Sequence, residues 1–173
     1  MRKILILIAI SCLMLLACGS LQELLAGEGG NVMSVAADDP EMNAAIQEAQ
    51  DTLPLFIAAL QAPTATQSYF SIKVGFPYGE ASEVEHMWIS ELSYTDGQFA
   101  GILDNKPVFV TDIHLGDQVT ASLEEISDWM IVDDGRLLGG FTLHVLRNQM
   151  SAAEREQYDA AMGIIIPESP ALP

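Results

Sequence analysis

The sequence predicts an α+β fold: a single domain with an antiparallel sheet of about four to six strands, an N-terminal helix and C-terminal helices. Three observations predict it. Asp39 and Pro40 open a stretch with helical apolar spacing. Alternating apolar runs follow between residues 69 and 132, divided by short turns rich in Gly and Asp. Ser151 and Glu154 then form a capping box before a helix that Gly163 stops. Strands and helices do not alternate regularly, which argues against a parallel sheet.

The elements follow in order. Asp39 is a carboxylate cap and Pro40 fits the first helical position; Met42, Ile46, Ala49, Leu53, Phe56, Ile57 and Leu60 recur at helical spacing. Pro54 is expected to break or kink this helix at residues 51 to 53, and Pro63 lies beyond its end. In YFSIKVGF, residues 69–76, Phe70, Ile72, Val74 and Phe76 face one way, giving a half-buried strand. PYGEAS reads as a turn. EHMWISELSY, residues 85–94, has apolar residues on both faces and is expected to be central. TDGQ is a hairpin signal, and FAGILDN, residues 99–105, is the return strand. VFVTDIHLGDQVTASL holds short strand candidates split at Gly116 and Asp117. A strand or turn is expected over residues 126–132, with a tight turn at Asp134 and Gly135. GGFTLHVLRNQM fits either a strand or a helix, and its spacing favours the helix; a Pro-rich tail, residues 164–173, ends the chain.

The N-terminus carries a different message. Arg2 and Lys3 precede an apolar run at residues 4–17, the layout of a secretory signal. The run would make a helix of about 21 Å, short of the ~30 Å hydrocarbon core. Leu15-Leu16-Ala17-Cys18 resembles a lipobox, so Cys18 is the expected lipidation site and mature N-terminus. Acyl chains contribute about 0.8 kcal/mol per buried methylene, which makes the lipid on Cys18 the expected membrane anchor. Leu16 is bulkier than the residue usual before Ala-Cys. Residues 1–17 are then the signal, 18–38 the lipidated Cys and tether, and 39–163 the globular domain. Gly19 and Ser20 carry no acidic retention signal, so the outer membrane, facing the periplasm, is expected in a Gram-negative cell. Cys12 falls in the signal, so the mature chain has no disulfide.

The net charge is −17, from 24 acidic and 7 basic residues. Nucleic acid and bare anionic membrane are excluded as partners, because no basic patch can neutralise phosphates. A basic protein partner is compatible with this surface, as is plain solubility.

FSIKVGF, EHMWI, FAGILDNKP, ISDW and GRLLGGFTLHVLR stand in that order. Together they resemble the YegJ-like bacterial family, DUF2314, over about residues 42–149. The resemblance implies a small α+β domain, often alone behind an export signal, and implies no activity. The positions that carry it are Lys73, Phe76, Glu85, His86, Trp88, Gly101, Asn105, Pro107, Asp128, Trp129, Gly139, Gly140 and Thr142.

Glu85 and His86 are adjacent on a strand, so their side chains point to opposite faces and do not form an acid–base dyad. Asp128 is the better partner for His86, and a buried Asp would fix the imidazole tautomer. Catalytic candidates are therefore His86, Asp128 and Glu85. Ser90, Ser127 and Thr142 lie in no recognisable nucleophile motif. Binding candidates are Trp88, Trp129, Lys73 and Thr142. His86, His114 and His144 lack metal-ligand spacing, Asp112 and His114 offer two ligands at most, and the DDG stretch lacks an EF-hand ligand pattern. LLGGFT lacks the glycine spacing and lysine of a phosphate loop. No cofactor is expected. Two readings stand: a noncatalytic binding or interaction module at the cell envelope, and a small hydrolase-like enzyme using His86 with Asp128.

Overall fold

The computed structural model describes residues 39–79 and 83–173. The expected signal, Cys18 and the tether to residue 38 lie outside the described residues, as do residues 80–82 of the expected PYGEAS turn. Helix α1 spans Pro40–Gln61. Strands β1 (Gln67–Tyr78), β2 (Glu83–Thr95), β3 (Gln98–Leu103) and β4 (Gln118–Ser122) follow. After a short 3-10 turn at Leu123–Glu125 come β5 (Ile126–Asp133), β6 (Arg136–Gly139), α2 (Phe141–Gln149) and α3 (Ala152–Met162). All strand pairs are antiparallel, in the order β4-β3-β2-β1-β5-β6.

Asp39 caps α1 as expected, its Oδ1 accepting from the amides of Glu41 and Met42 at 2.9 and 3.0 Å. The helix does not break at Pro54. Before the proline, the Thr52 hydroxyl reaches Glu48 O at 2.7 Å and the Trp129 indole reaches Ala49 O at 3.1 Å. The indole thus ties the helix to the sheet upstream of the proline. Ala45, Ala49, Leu53 and Phe56 form the buried stripe of α1. Phe56 meets Phe70, Phe99 and Trp129 at centroid distances of 6.0, 6.0 and 5.5 Å, an aromatic core on one face of the sheet.

The opposite face is also covered. Trp88, Met130, Leu137, Leu143, Met162 and Ile166 form a second apolar cluster there, with Tyr69 and Tyr158 packed against it. This is why β1 is buried on both sides at its middle rather than half-buried, and why β2 is apolar on both faces. The β2–β3 and β5–β6 turns each have two left-handed residues, Asp96-Gly97 with φ of 51° and 82° and Asp134-Gly135 with φ of 47° and 72°.

Residues 108–115, expected to supply a short strand, are a loop. The Glu85 carboxylate takes the amides of residues 108–110, which a strand ladder would need. Segment 140–149 is the favoured helix, and the Ser151–Glu154 capping box and Gly163 stop lie where the spacing put them. Beyond Gly163 the chain runs alongside β6, with a parallel bridge between Arg136 and Ile165.

Candidate functional site

The site is built on β1, β2 and β5. Register places Lys73 opposite both Trp88 and Asp128, and Gly75 opposite His86. Paired residues share a face, so Lys73, His86, Trp88 and Asp128 stand on the second face. Glu85 and Trp129 stand on the first, with the α1 core. Trp129 is fully buried there between Phe56 and Phe141, both at 5.5 Å.

Glu85 is 7% exposed. Its Oε1 accepts from Val108 N at 2.8 Å, and its Oε2 from Phe109 N and Val110 N, each at 3.0 Å. Three backbone amides converging on one carboxylate fix the loop after Pro107. That loop presents Val108 and Phe109, 50% and 46% exposed, with Phe109 stacked on Tyr78 at 4.8 Å and 11°.

Asp128 is fully buried. Its Oδ1 accepts from Trp129 N and Phe141 N at 2.8 and 3.0 Å; its Oδ2 accepts from the Thr142 amide and hydroxyl at 2.8 and 2.5 Å. A side chain thirteen residues upstream therefore caps the N-terminus of α2, the place where an anion would otherwise bind. Gly139 and Gly140, with φ of 71° and 68°, turn the chain so that these amides aim at Asp128. A Cβ on Gly139 would lie 2.3 Å from Trp129 O. The glycine pair serves this turn.

Lys73 Nζ donates to Thr142 Oγ1 at 3.2 Å and sits 5.5 Å from the Trp88 ring centroid. The Thr142 hydroxyl thus links the lysine to Asp128. Burial lowers the Lys73 pKa, and Asp128 opposes it. Burial likewise raises Asp128, against Lys73 and the bonds from Thr142 and Trp129.

His86 does not hydrogen-bond to Asp128. Its Nδ1 lies 2.9 Å from Ser127 Oγ, which is also 3.2 Å from the Lys73 carbonyl, an acceptor for its proton. A hydroxyl has one proton, so when Ser127 gives it to Lys73 O the imidazole donates from Nδ1 and Nε2 is the acceptor. A register shift between Lys73 and Val74 makes this contact: Ser127 is the extra residue of β5 opposite them. His86 is exposed as a whole, but the shelter around its ring, then Lys73, hold its pKa below the usual value.

The structure thus gathers Lys73, Thr142, Asp128 and Trp88, with His86 and Ser127 beside them, and separates Glu85 and Trp129. Sequence reasoning missed Asp104, 1% exposed, whose Oδ2 accepts from the Tyr69 hydroxyl at 2.6 Å. Burial and Asp104 raise the pKa of Tyr69. Tyr69 has φ 47° at a bulge, a long-range feature with no local signal. Sequence reasoning also missed the fork between Arg147 and Asp159, at 2.8 and 2.7 Å. Among the described residues, no three His, Cys, Asp or Glu side chains cluster as metal ligands. His114 pairs with Asp117 at 3.5 Å on the surface.

A six-stranded antiparallel sheet covered on both faces, with polar side chains tying its loops and one helix to its strands, defines a small α+β class. The chain belongs to the family described as an uncharacterized protein conserved in bacteria, DUF2314, which matches residues 39–165. It is 38% identical over 135 residues to a protein of Neisseria meningitidis serogroup B named as an ankyrin repeat protein, covering 74% of this chain and 53% of that one. It is 30% identical over 109 residues to the uncharacterized protein YegJ of Escherichia coli K12, covering 63% of this chain and 69% of that one. The chain thus spans about half the length of the Neisseria relative. No solved structure matches it.

Proposed function

We propose that this protein is a noncatalytic interaction module, exported and held at the bacterial cell envelope by lipid on Cys18. One observation carries the reading: the acidic side chains best suited to catalysis serve the backbone. Glu85 is occupied by three loop amides and Asp128 by three amides and a hydroxyl. A buried carboxylate held this way is a structural anchor, costly to move. What Glu85 holds in place is an exposed apolar surface, Val108 and Phe109 backed by Tyr78. Rigid exposed apolar residues suit binding, because little entropy is lost when they dock. The net charge of −17 favours a basic protein partner.

Capture from envelope extract with the full-length chain tests the module. A stoichiometric partner should be retained by the wild type and by His86→Ala, and lost with Phe109→Asp, whose circular dichroism and melting should match the wild type. Turnover of an ester or amide substrate that His86→Ala abolishes would overturn the noncatalytic reading. For the anchor, palmitate label should enter the wild type and be absent from Cys18→Ser; label that survives the substitution rules out lipidation there.

A further inference from the structure

We propose, resting on the interaction reading above, that Phe109 and Glu83 receive an arginine side chain of the basic partner, the guanidinium stacking on the outer face of the Phe109 ring and forking to the Glu83 carboxylate. Register pairs Tyr78 with Glu83 and Phe76 with Glu85, and cross-strand partners share a face. Phe76 and Tyr78 pack against the first apolar cluster, so both carboxylates stand on that face at the open end of β1 and β2. Glu83 is exposed. Its Oε2 lies close over Gly79, where a Cβ would stand 3.0 Å away. An accessible carboxylate therefore stands beside Tyr78, at the margin of the aromatic pair.

Phe109 stacks on Tyr78 nearly parallel, at 4.8 Å and 11°. Such a contact uses one face of each ring. Phe109 is still 46% exposed, so its other face is open to solvent. The ring is set in advance, because Glu85 holds its amide and those of both neighbours, and docking there orders little chain. Charge selects the occupant. Burial first, then Glu83 and Glu85, raise the Tyr78 pKa, so both negative charges are felt at the ring pair. The ion pairs among the described residues are His114 with Asp117 and Arg147 with Asp159, so no cation neutralises either glutamate there. Lys106, the basic residue nearest along the loop, is exposed and joins neither pair. An open aromatic face in a negative field attracts a cation. Arginine suits it better than lysine, because a planar guanidinium stacks and forks at once and is less strongly hydrated than an ammonium.

NMR titration of the full-length chain with end-blocked Gly-X-Gly tripeptides tests this, X being arginine, lysine or citrulline, the uncharged analogue of arginine. The arginine peptide should bind saturably in the millimolar range. It should move the ring signals of Phe109 and Tyr78 and leave those of Phe141 and Trp129 in place. Lysine should bind more weakly, and citrulline more weakly still. Phe109→Leu and Glu83→Gln change exposed side chains and should keep the wild-type circular dichroism. Each should weaken the arginine peptide by about two- to fivefold, and Glu83→Gln should also flatten its salt dependence. No saturable shift at Phe109, lysine or citrulline matching arginine, or unchanged affinity in both variants overturns the proposal. If a partner is nonetheless captured by the wild type and lost with Phe109→Asp, the interaction reading survives that failure. Arginine-specific binding without any captured partner would sink the reading and leave the arginine site standing.

Discussion

Asp128 and Glu85 sit on opposite faces of one sheet and solve the same problem, the supply of acceptors to backbone amides that have no ladder partner. Substituting either leaves buried donors unsatisfied. Asp128→Asn is expected to cost about 2–4 kcal/mol, because one oxygen becomes a donor facing donors; urea denaturation measures it. Glu85→Gln should instead act locally, raising amide exchange at residues 108–110 while the core stays protected. His86 makes a sharper prediction. Its Nδ1 faces a serine with a carbonyl acceptor, Lys73 O, in reach of its proton; with that proton on Lys73 O, nitrogen NMR should find the neutral ring protonated at Nδ1. Ser127→Ala should abolish that preference without unfolding the protein. The chemistry of these residues was legible in the sequence, since strand alternation separates Glu85 from His86. Their partners were not: Asp128 reaches amides at 141 and 142, and Ser127 reaches His86 through a bulge.

At the scale of elements, the cap, the hairpin turns and the final helix follow local rules, and the sequence predicts them. Two departures are instructive. Pro54 stands inside an unbroken helix whose neighbouring carbonyls accept from Thr52 and Trp129. Pro54→Ala should therefore raise stability, by about 1–3 kcal/mol, since it restores a donor and removes the ring from the ladder; melting experiments read this directly. The β6–α2 junction is the opposite case. Gly139 is left-handed, and any Cβ would strike Trp129. Gly139→Ala should cost at least about 2 kcal/mol, and the loss should be shared by α2, seen as reduced helical circular dichroism. The missing strand at 108–115 teaches the same lesson: local β-propensity yields when a buried side chain claims the amides.

Across the whole molecule, two apolar clusters sandwich the sheet, and ionisable groups are buried in the second. Both His86 and His144 have lowered pKa values, chiefly from burial. The unfolded chain takes up their protons first, so stability should fall as pH drops below about 6.5. The urea midpoint at pH 7.5 should exceed that at pH 5.5, with a smaller gap in a His86→Asn variant. On the alkaline side, burial pushes Tyr158 up to about 12. Its contribution is complete below the ordinary tyrosine value and disappears as pH rises through 12, which tyrosinate absorbance can follow. Deleting residues 164–173 should lower the melting temperature, because Ile166 loses its burial and β6 its edge partner.

The sequence by itself determined the class, the antiparallel sheet, the helix caps and the family, because period, turn chemistry and capping act over a few residues. Only the tertiary structure decided what the polar residues do. The amides of residues 108–110, the N-terminus of α2, the hydroxyl of Ser127 and the second covering layer all find their partners across long stretches of chain. A buried hydrogen bond has to be satisfied by whatever packing brings near, and no local pattern encodes that choice.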